Sequence, residues 1–189
     1  MRNRPVIVGV LAAVLGGAAA CGNGGAAARS ASSPAPSSGQ RIAVTSSAFA
    51  EGGTIPRRHT CDGADVSPPL AFSGVPAGAT SLALLVEDTD APQGPFTHWL
   101  VWDIAPRTTT LAAGHAPEGA AQGRNDFRRP GYGGPCPPRG DRPHHYVFTV
   151  YAADRRPDLT PATATADGLR RALAGHTLAS GTLTGRYGR

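Results

Sequence analysis

The sequence of 189 residues contains no lysine, one methionine and few aromatic residues, and only 16% of its residues are charged. Each of the 18 basic residues is therefore an arginine, and these arginines are scattered along the chain. A nucleic-acid-binding surface needs a clustered basic face, which the net charge of +5 does not indicate. The composition also excludes a coiled coil and a membrane protein with several spans, and the length predicts one folded domain.

The sequence also lacks the short motifs of several enzyme classes. It has no G-x-S-x-G nucleophile motif, no Walker A loop, no H-E-x-x-H zinc motif and no C-x-x-C pair. The glycine-rich stretch 131–134 runs into prolines and lacks the G-x-G-x-x-G pattern of a dinucleotide site. We therefore expect a protein that is not an enzyme and that holds neither a cofactor nor a metal ion.

The beginning of the chain has the pattern of a signal peptide. Arg2 and Arg4 precede an apolar stretch over 6–15, and small residues follow up to Cys21. The uncharged stretch before Cys21 has 16 residues, whereas a helix that spans a bilayer needs about 20. Residues 1–20 are thus expected to direct export and to be removed.

The small residues before Cys21 also resemble the lipobox of bacterial lipoproteins, in which the cysteine is acylated and becomes the mature N-terminus. Ala18 stands where leucine is usual in that motif. The alternative is ordinary cleavage after residue 20, which leaves Cys21 as a free thiol. Acylation would hold the exported protein at the cell membrane by a lipid anchor, facing the cell exterior or the periplasm.

The segment that follows the leader has a composition typical of a linker. Residues 21–40 consist mainly of glycine, alanine, serine and proline. They carry too little apolar bulk to offset the entropy cost of ordering, so we expect a flexible tether. The folded domain is then expected over 41–189.

The chain has three cysteines, Cys21, Cys61 and Cys136. If Cys21 carries lipid, two remain, and the oxidising environment outside the cell favours a disulfide between Cys61 and Cys136. Two buried thiols are the alternative. A bridge would close a loop of about 75 residues and stabilise the fold by about 4–5 kcal/mol if loop-closure entropy dominates.

The hydrophobic pattern of the domain predicts a mainly β fold. Strands are predicted from alternating or continuous apolar and β-branched runs at 42–46, 82–86, 98–104 and 145–152. A single helix is predicted over 165–175. Several short strands with few helices favour a sandwich with Greek-key sheets and one or two short helices at its edge.

Polar side chains collect at the ends of these predicted strands. Asp88 and Asp90 follow the first long strand, His98 begins the next, and His144 and Tyr146 share one face of the strongest strand. If the strands are neighbours, these side chains meet at one end of the sheet. Imidazole N–H and phenol O–H groups suit an anion such as phosphate. Turn chemistry for the aspartates and a structural role for the histidines are the alternatives.

Five ordered segments resemble the phosphatidylethanolamine-binding protein family, in particular its bacterial and archaeal branch of Raf kinase inhibitor-like proteins. The resemblance extends over most of 42–189. The segments are I-P-R-R-H-T-C-D-G-A-D-V-S-P-P-L at 55–70, D-T-D-A-P at 88–92, H-W-L-V-W-D-I at 98–104, G-Y-G-G-P-C-P-P-R-G at 131–140 with P-H-H-Y-V-F-T-V-Y-A after it, and L-T-G-R-Y at 183–187.

The resemblance implies a β-sandwich with a small surface pocket that binds phosphate-type anions and phosphorylated head groups. It also supports a Cys61–Cys136 bridge that holds the pocket loop. Thr89 departs from the family pattern, in which proline is usual between the two aspartates. Carried over by position, the residues expected at the pocket are Asp88, Asp90, His98, Gly134, Pro137, His144 and Tyr146.

Three functions are compatible with these observations, in decreasing order of support. The first is an exported binding protein for phosphate or a phosphorylated head group. The second is a regulator of a protein partner, such as an inhibitor of an envelope protease. The third is a hydrolase in which His98, His144 and Asp88 act as acid–base groups or hold a metal ion.

Overall fold

The computed structural model describes residues 40–189. The expected signal peptide, Cys21 and the tether up to residue 39 lie outside the described residues. Between residues 40 and 189, no helix is long and apolar enough to span a bilayer.

The described chain forms nine strands, one α-helix and a short 3-10 helix at Arg57–His59. All four predicted strands and the predicted helix are present with boundaries shifted by a few residues. The strands are β1 Ala43–Thr45, β2 Gly53–Thr54, β3 Leu70–Ser73, β4 Ser81–Asp88, β5 Phe96–Ile104, β6 Thr110–Leu111, β7 Ala121–Gln122, β8 His144–Ala153 and β9 Thr177–Tyr187, and the helix is α1 Ala166–Leu173.

The strands form two sheets. The larger has six strands in the order β2-β9-β8-β4-β5-β7, and the smaller has three in the order β1-β3-β6. All pairings are antiparallel except that of β2 with β9. The prediction of a mainly β fold with two sheets and a short peripheral helix is confirmed.

Strand β4 lies at the centre of the larger sheet and is buried on both faces. Its Leu84 and Val86 belong to the core between the two sheets, whereas Leu85 on the opposite face packs in a second core with Leu169 and Leu173 of α1. A strand covered on both sides needs apolar residues at every position, which explains the continuous run that the sequence shows here. The molecule thus has three layers, namely the small sheet, the large sheet and the helix.

Strand β9 is the longest strand and was not predicted from the sequence. Its inward-facing positions are mostly small, at Ala179, Gly181 and Gly185, so the strand shows little apolar alternation. A Cβ atom at Gly181 would collide with the carbonyl oxygen of Ile42. The chain passes this close because Arg41 forms a parallel bridge with Ser180 at this end of β9.

Candidate functional site

A small cavity lies where β4 ends and where β5 and β8 begin. Its volume is about 180 Å³. Two loops complete it, the loop between β4 and β5 and the long loop between β7 and β8. The cavity is lined by Asp88, Ala91, Pro92, Phe96, His98, Phe127, Cys136, Pro137, Pro138 and His144.

Asp88 and His144 form a buried pair at the base of this cavity. Asp88 is the last residue of β4 and pairs with Tyr146 of β8, so His144, two residues earlier in β8, lies on the same face. The distance from His144 Nδ1 to Asp88 Oδ2 is 2.7 Å, and the two side chains are only 4% and 6% exposed. The carboxylate makes Nδ1 the protonated nitrogen. The other ring nitrogen, Nε2, lies 3.8 Å from Asp141 Oδ2, which is too far for a hydrogen bond, so Nε2 can bind a ligand.

His98 occupies a β-bulge in β5. Glu87 of β4 pairs with Thr97, whereas the preceding residue Val86 pairs with Trp99, so His98 is the extra residue. The bulge interrupts the usual alternation of side chains. The His98 ring consequently packs against Tyr146, with ring centroids 5.2 Å apart, on the same side of the sheet as Trp99.

His98 makes two hydrogen bonds with Gly133, one through its ring and one through its backbone. Its Nδ1–H donates to the Gly133 carbonyl at 2.6 Å, and the Gly133 N–H donates to the His98 carbonyl at 2.9 Å. Burial is the main effect that lowers the pKa of His98, while the Gly133 hydrogen bond and the Asp88 charge oppose it. His98 is therefore neutral near pH 7, with the proton on Nδ1 and a lone pair on Nε2.

The loop that carries Gly133 and Gly134 packs against the segment around residues 59–65. The Gly134 N–H donates to Asp65 Oδ1 at 2.6 Å, and a Cβ atom at Gly134 would lie 2.6 Å from the His59 carbonyl oxygen. Cys61 and Cys136 form a disulfide with their Cα atoms 5.4 Å apart. The predicted bridge is thus confirmed, and one of its cysteines is part of the cavity wall.

Asp90 does not line the cavity, although the sequence placed it at the site. Its Oδ2 accepts hydrogen bonds from the backbone N–H and the Nδ1–H of His145, and its Oδ1 accepts one from Arg142. The hydrogen bonds from His145 lower the pKa of Asp90. Its own N–H donates to Asp88 Oδ1 at 2.9 Å. Asp90 therefore positions Asp88 and the start of β8.

Tyr146 and Gly134 also lie behind the cavity wall. The Tyr146 side chain is fully buried, and its hydroxyl has no hydrogen-bond partner of good geometry among the described residues. Burial and, to a smaller extent, the nearby charge of Asp88 raise the pKa of Tyr146, so its hydroxyl stays protonated. Of the seven expected residues, the structure places four in the cavity lining: Asp88, His98, Pro137 and His144.

An aromatic wall of the cavity was missed by the sequence analysis. The rings of Phe96 and Phe127 lie 4.8 Å apart, and each also contacts the His98 ring. Phe127 reaches this position because Asp126 and Thr97 exchange two hydrogen bonds, Thr97 N–H to Asp126 Oδ2 and Asp126 N–H to the Thr97 carbonyl. Phe96 could have been suspected from its place two residues before His98. No sequence pattern marks Phe127.

Between residues 40 and 189, no three histidine, cysteine, aspartate or glutamate side chains are arranged to hold a metal ion. The cavity itself offers one carboxylate and two imidazoles, and Nδ1 of each imidazole is already bound within the protein. What the arrangement offers to a ligand is two oriented Nε2 atoms beside an apolar wall.

Comparison with known proteins identifies the family. The family model described as phosphatidylethanolamine-binding protein matches residues 45–188. A UPF0098 protein of Pyrococcus abyssi is 44% identical over 158 residues, which cover 80% of this chain and 88% of that protein. A Mycobacterium tuberculosis relative named lipoprotein LppC is 40% identical and covers 82% of this chain and 78% of its own length. The chain belongs to the phosphatidylethanolamine-binding protein family.

Two solved structures have the same fold. A phosphatidylethanolamine-binding protein homologue of Chlamydia trachomatis superposes with a TM-score of 0.74 at 39% identity, covering 79% of this chain and 99% of that one. Escherichia coli YbcL, described as a member of the mammalian PEBP family, also gives a TM-score of 0.74, at 34% identity and with the same coverage. The family resemblance seen in the sequence is therefore confirmed.

Proposed function

We propose that the cavity binds the phosphate-type head of a small anionic ligand and that the protein acts through binding. The observation that carries this proposal is the Asp88–His144 pair, which orients His144 Nε2 at the base of a small cavity. In the doubly protonated ring of His144 both nitrogens are donors, Nδ1 to Asp88 and Nε2 to the ligand. Its Nε2–H is then a charge-assisted donor to an anionic oxygen.

The size of the cavity supports a ligand of a few atoms. Sites for drug-sized molecules usually occupy about 300–1,000 Å³, whereas this cavity has about 180 Å³. That volume accommodates a phosphate or a phosphorylated head group and leaves a longer chain outside. The wall formed by Phe96 and Phe127 would contact the apolar part of such a ligand.

The hydrogen bonds of the surrounding loops favour binding over hydrolysis. Catalysis of acyl transfer requires free N–H donors aimed at the developing oxyanion. The N–H groups of Asp90, Gly133 and Gly134, on the loops around the cavity, donate to protein acceptors instead. We therefore do not assign the protein an enzymatic activity.

We further propose that the protein is exported and held at the membrane by lipid on Cys21. The leader pattern and the lipoprotein name of the Mycobacterium tuberculosis relative support this location. The Cys61–Cys136 disulfide is consistent with an oxidising compartment. Mass spectrometry of the mature protein from membranes would detect a diacylglyceryl group on Cys21, and an unmodified thiol there would contradict the proposal.

A titration followed by thermal unfolding tests the binding function. Phosphate, phosphoethanolamine and neutral glycerol are added to the wild-type protein and to the His144→Asn variant. The asparagine amide can replace the Nδ1 donor to Asp88, but it lacks Nε2. A ligand at one hundred times its Kd should stabilise the wild-type protein by about 2.7 kcal/mol.

The variant should bind at least tenfold more weakly, a loss of about 1.4 kcal/mol. Equal affinity in both proteins would contradict the assigned site. If the wild-type protein binds none of the anions, inhibition of trypsin-like and chymotrypsin-like proteases becomes the next measurement.

A further inference from the structure

The two histidines of the cavity offer a ligand different chemistry. The Nδ1–H of His144 donates to a carboxylate, so its Nε2 donates to an anion when the ring is doubly protonated, whereas the Nδ1–H of His98 donates to the Gly133 carbonyl. The residue is 2% exposed and its ring contacts three other aromatic rings, an environment that disfavours a charge. His98 Nε2 is consequently a hydrogen-bond acceptor, and the ligand must supply the proton.

The charges around the cavity also favour a ligand that keeps one of its protons over a dianion. Asp88 is in the lining, and no arginine lies among the lining residues. Three arginines of the loop between β7 and β8 lie near lining residues, and each faces a carboxylate outside the lining: Arg129 faces Asp65, Arg139 faces Asp62 and Arg142 faces Asp90. The titratable groups that face His98 from the neighbouring elements are Asp88 from β4, His144 and Tyr146 from β8, and Asp126 from the loop after β7. A second carboxylate, that of Asp141, lies 3.8 Å from His144 Nε2. A dianion here would therefore be close to two carboxylates, and the lining itself provides no permanent positive charge to balance it.

We propose that the cavity selects the singly protonated form of a phosphate monoester, whose P–OH group donates to His98 Nε2 while an anionic oxygen accepts from His144. This inference rests on the proposed anion-binding function. Phosphodiesters and sulfate esters carry an anionic oxygen but no acidic hydrogen, so they would satisfy His144 and leave His98 Nε2 without a partner. Leaving a buried acceptor unpaired is costly, and this cost provides the selectivity.

The proposal predicts that the affinity depends on pH because the ligand, and not the protein, loses a proton. The second pKa of an alkyl phosphate monoester lies near 6, so the fraction that carries the P–OH proton falls about 50-fold from pH 6 to pH 8. Burial lowers the pKa of His98, so its Nε2 remains an acceptor over this range. A change in the protonation of His144 would affect all anions, so anions without a titratable proton serve as the control.

The test is calorimetric titration of the mature protein with three probes, namely methyl phosphate, dimethyl phosphate and methyl sulfate, at pH 6 and pH 8. Methyl phosphate should bind at least tenfold more tightly than the other two at pH 6. Its affinity should then fall by about 50-fold more than theirs on going to pH 8. Equal affinities for the three anions at pH 6 would overturn the proposal while leaving the anion-binding function intact. Failure of all three to bind would instead remove the binding function itself.

A variant at His98 tests whether the preference for methyl phosphate depends on this residue. In His98→Asn the amide N–H can still donate to the Gly133 carbonyl, but the Nε2 acceptor is gone. In this variant the affinities for methyl phosphate and dimethyl phosphate at pH 6 should become similar, and a retained preference for methyl phosphate would overturn the proposal. If this variant does not fold, His98→Gln replaces it. The comparison of the three probes on the wild-type protein tests the proposal without either variant. Glycerophosphoethanolamine tests an ammonium donor, and equally tight binding of this diester would also overturn the proposal.

Discussion

Asp90 and His145 are joined by two hydrogen bonds to one carboxylate oxygen. Oδ2 of Asp90 accepts from the His145 backbone N–H at 2.8 Å and from its Nδ1 at 2.7 Å. The turn after β4 is thereby connected to the beginning of β8, the two segments that carry Asp88 and His144. The residue that the family pattern places in the pocket acts here on the geometry of its neighbours.

Replacing Asp90 with asparagine should destabilise the protein without removing a lining group. The lost charge-assisted hydrogen bonds from His145 predict a decrease of about 1–3 kcal/mol in the free energy of unfolding, measured by urea denaturation at pH 7. The ion pair with Arg142, whose side chain is 80% exposed, adds little. Asp158→Asn, at an exposed position, is the matched control and should change stability by less than about 0.5 kcal/mol.

The same variant should also change the response to acid. Because the folded-state pKa of Asp90 is lowered, this carboxylate stabilises the fold above the unfolded-state pKa of about 3.9, and the contribution is lost as the pH falls below it. The difference in stability between wild type and Asp90→Asn should therefore shrink between pH 5 and pH 2. A constant difference over that range would show that the carboxylate charge is not involved.

His98 should make the protein less stable in mild acid. Its pKa is lowered in the folded state, so the unfolded chain binds the proton more readily and stability decreases as the pH falls below about 6.5. The His98→Asn variant should lose less stability than wild type between pH 7 and pH 5, whereas the exposed His115→Asn control should behave as wild type. An NMR titration of the His98 ring should show no protonation near pH 6.5, and a midpoint there would contradict this prediction.

Removal of the disulfide should lower stability substantially. The Cys61–Cys136 bridge closes a loop of 75 residues, for which loop-closure entropy predicts about 4–5 kcal/mol. The double variant with serine at both positions should therefore unfold at a clearly lower urea concentration than the oxidised protein. Adding a reductant should lower the midpoint of the wild-type protein and leave that of the variant unchanged. A reductant effect on the variant would indicate a cause other than this bridge.

A methyl group at Gly181 should be poorly tolerated. Its Cβ atom would collide with the backbone of Ile42, which cannot move without breaking the Ile42 N–H bond to the Ser180 carbonyl. Gly181→Ala should cost about 2–3 kcal/mol or more, read from the shift in Tm. At Gly78 a Cβ atom would make only an ordinary contact, 3.6 Å from a Leu178 methyl group, so Gly78→Ala is the control. Similar Tm values for the two variants would contradict the packing described here.

The strands predicted from the sequence are those whose hydrophobic pattern directly reflects which of their faces are buried. Residues 82–86 of β4 are all apolar because both faces of the strand are covered there. β8 alternates because its faces differ in burial. The same alternation correctly places His144 and Tyr146 on one face. These local rules, together with the family resemblance, were sufficient for a mainly β fold and for the Asp88–His144 pair.

The parts that were not predicted depend on contacts distant in sequence. β9 faces the core with small residues because Ile42 and Ile55 lie against its glycines, and glycine carries no strand signal. The bulge at His98 becomes visible only once the register of β4 and β5 is known. Phe127 reaches the cavity through hydrogen bonds 29 residues apart in the sequence. The role of Asp90 likewise depends on a partner on another strand.

The bridge between Arg41 and Ser180 determines where the rest of the chain joins the domain. Ser180 lies near the beginning of β9, and Tyr187, at the other end of that strand, pairs with His144 beside the cavity. Seven residues of extended strand separate the two points, a distance of about 23 Å. Arg41 and the mouth of the cavity therefore lie towards opposite ends of β9. A ligand that enters the cavity meets the domain at the end of this strand that is remote from Arg41.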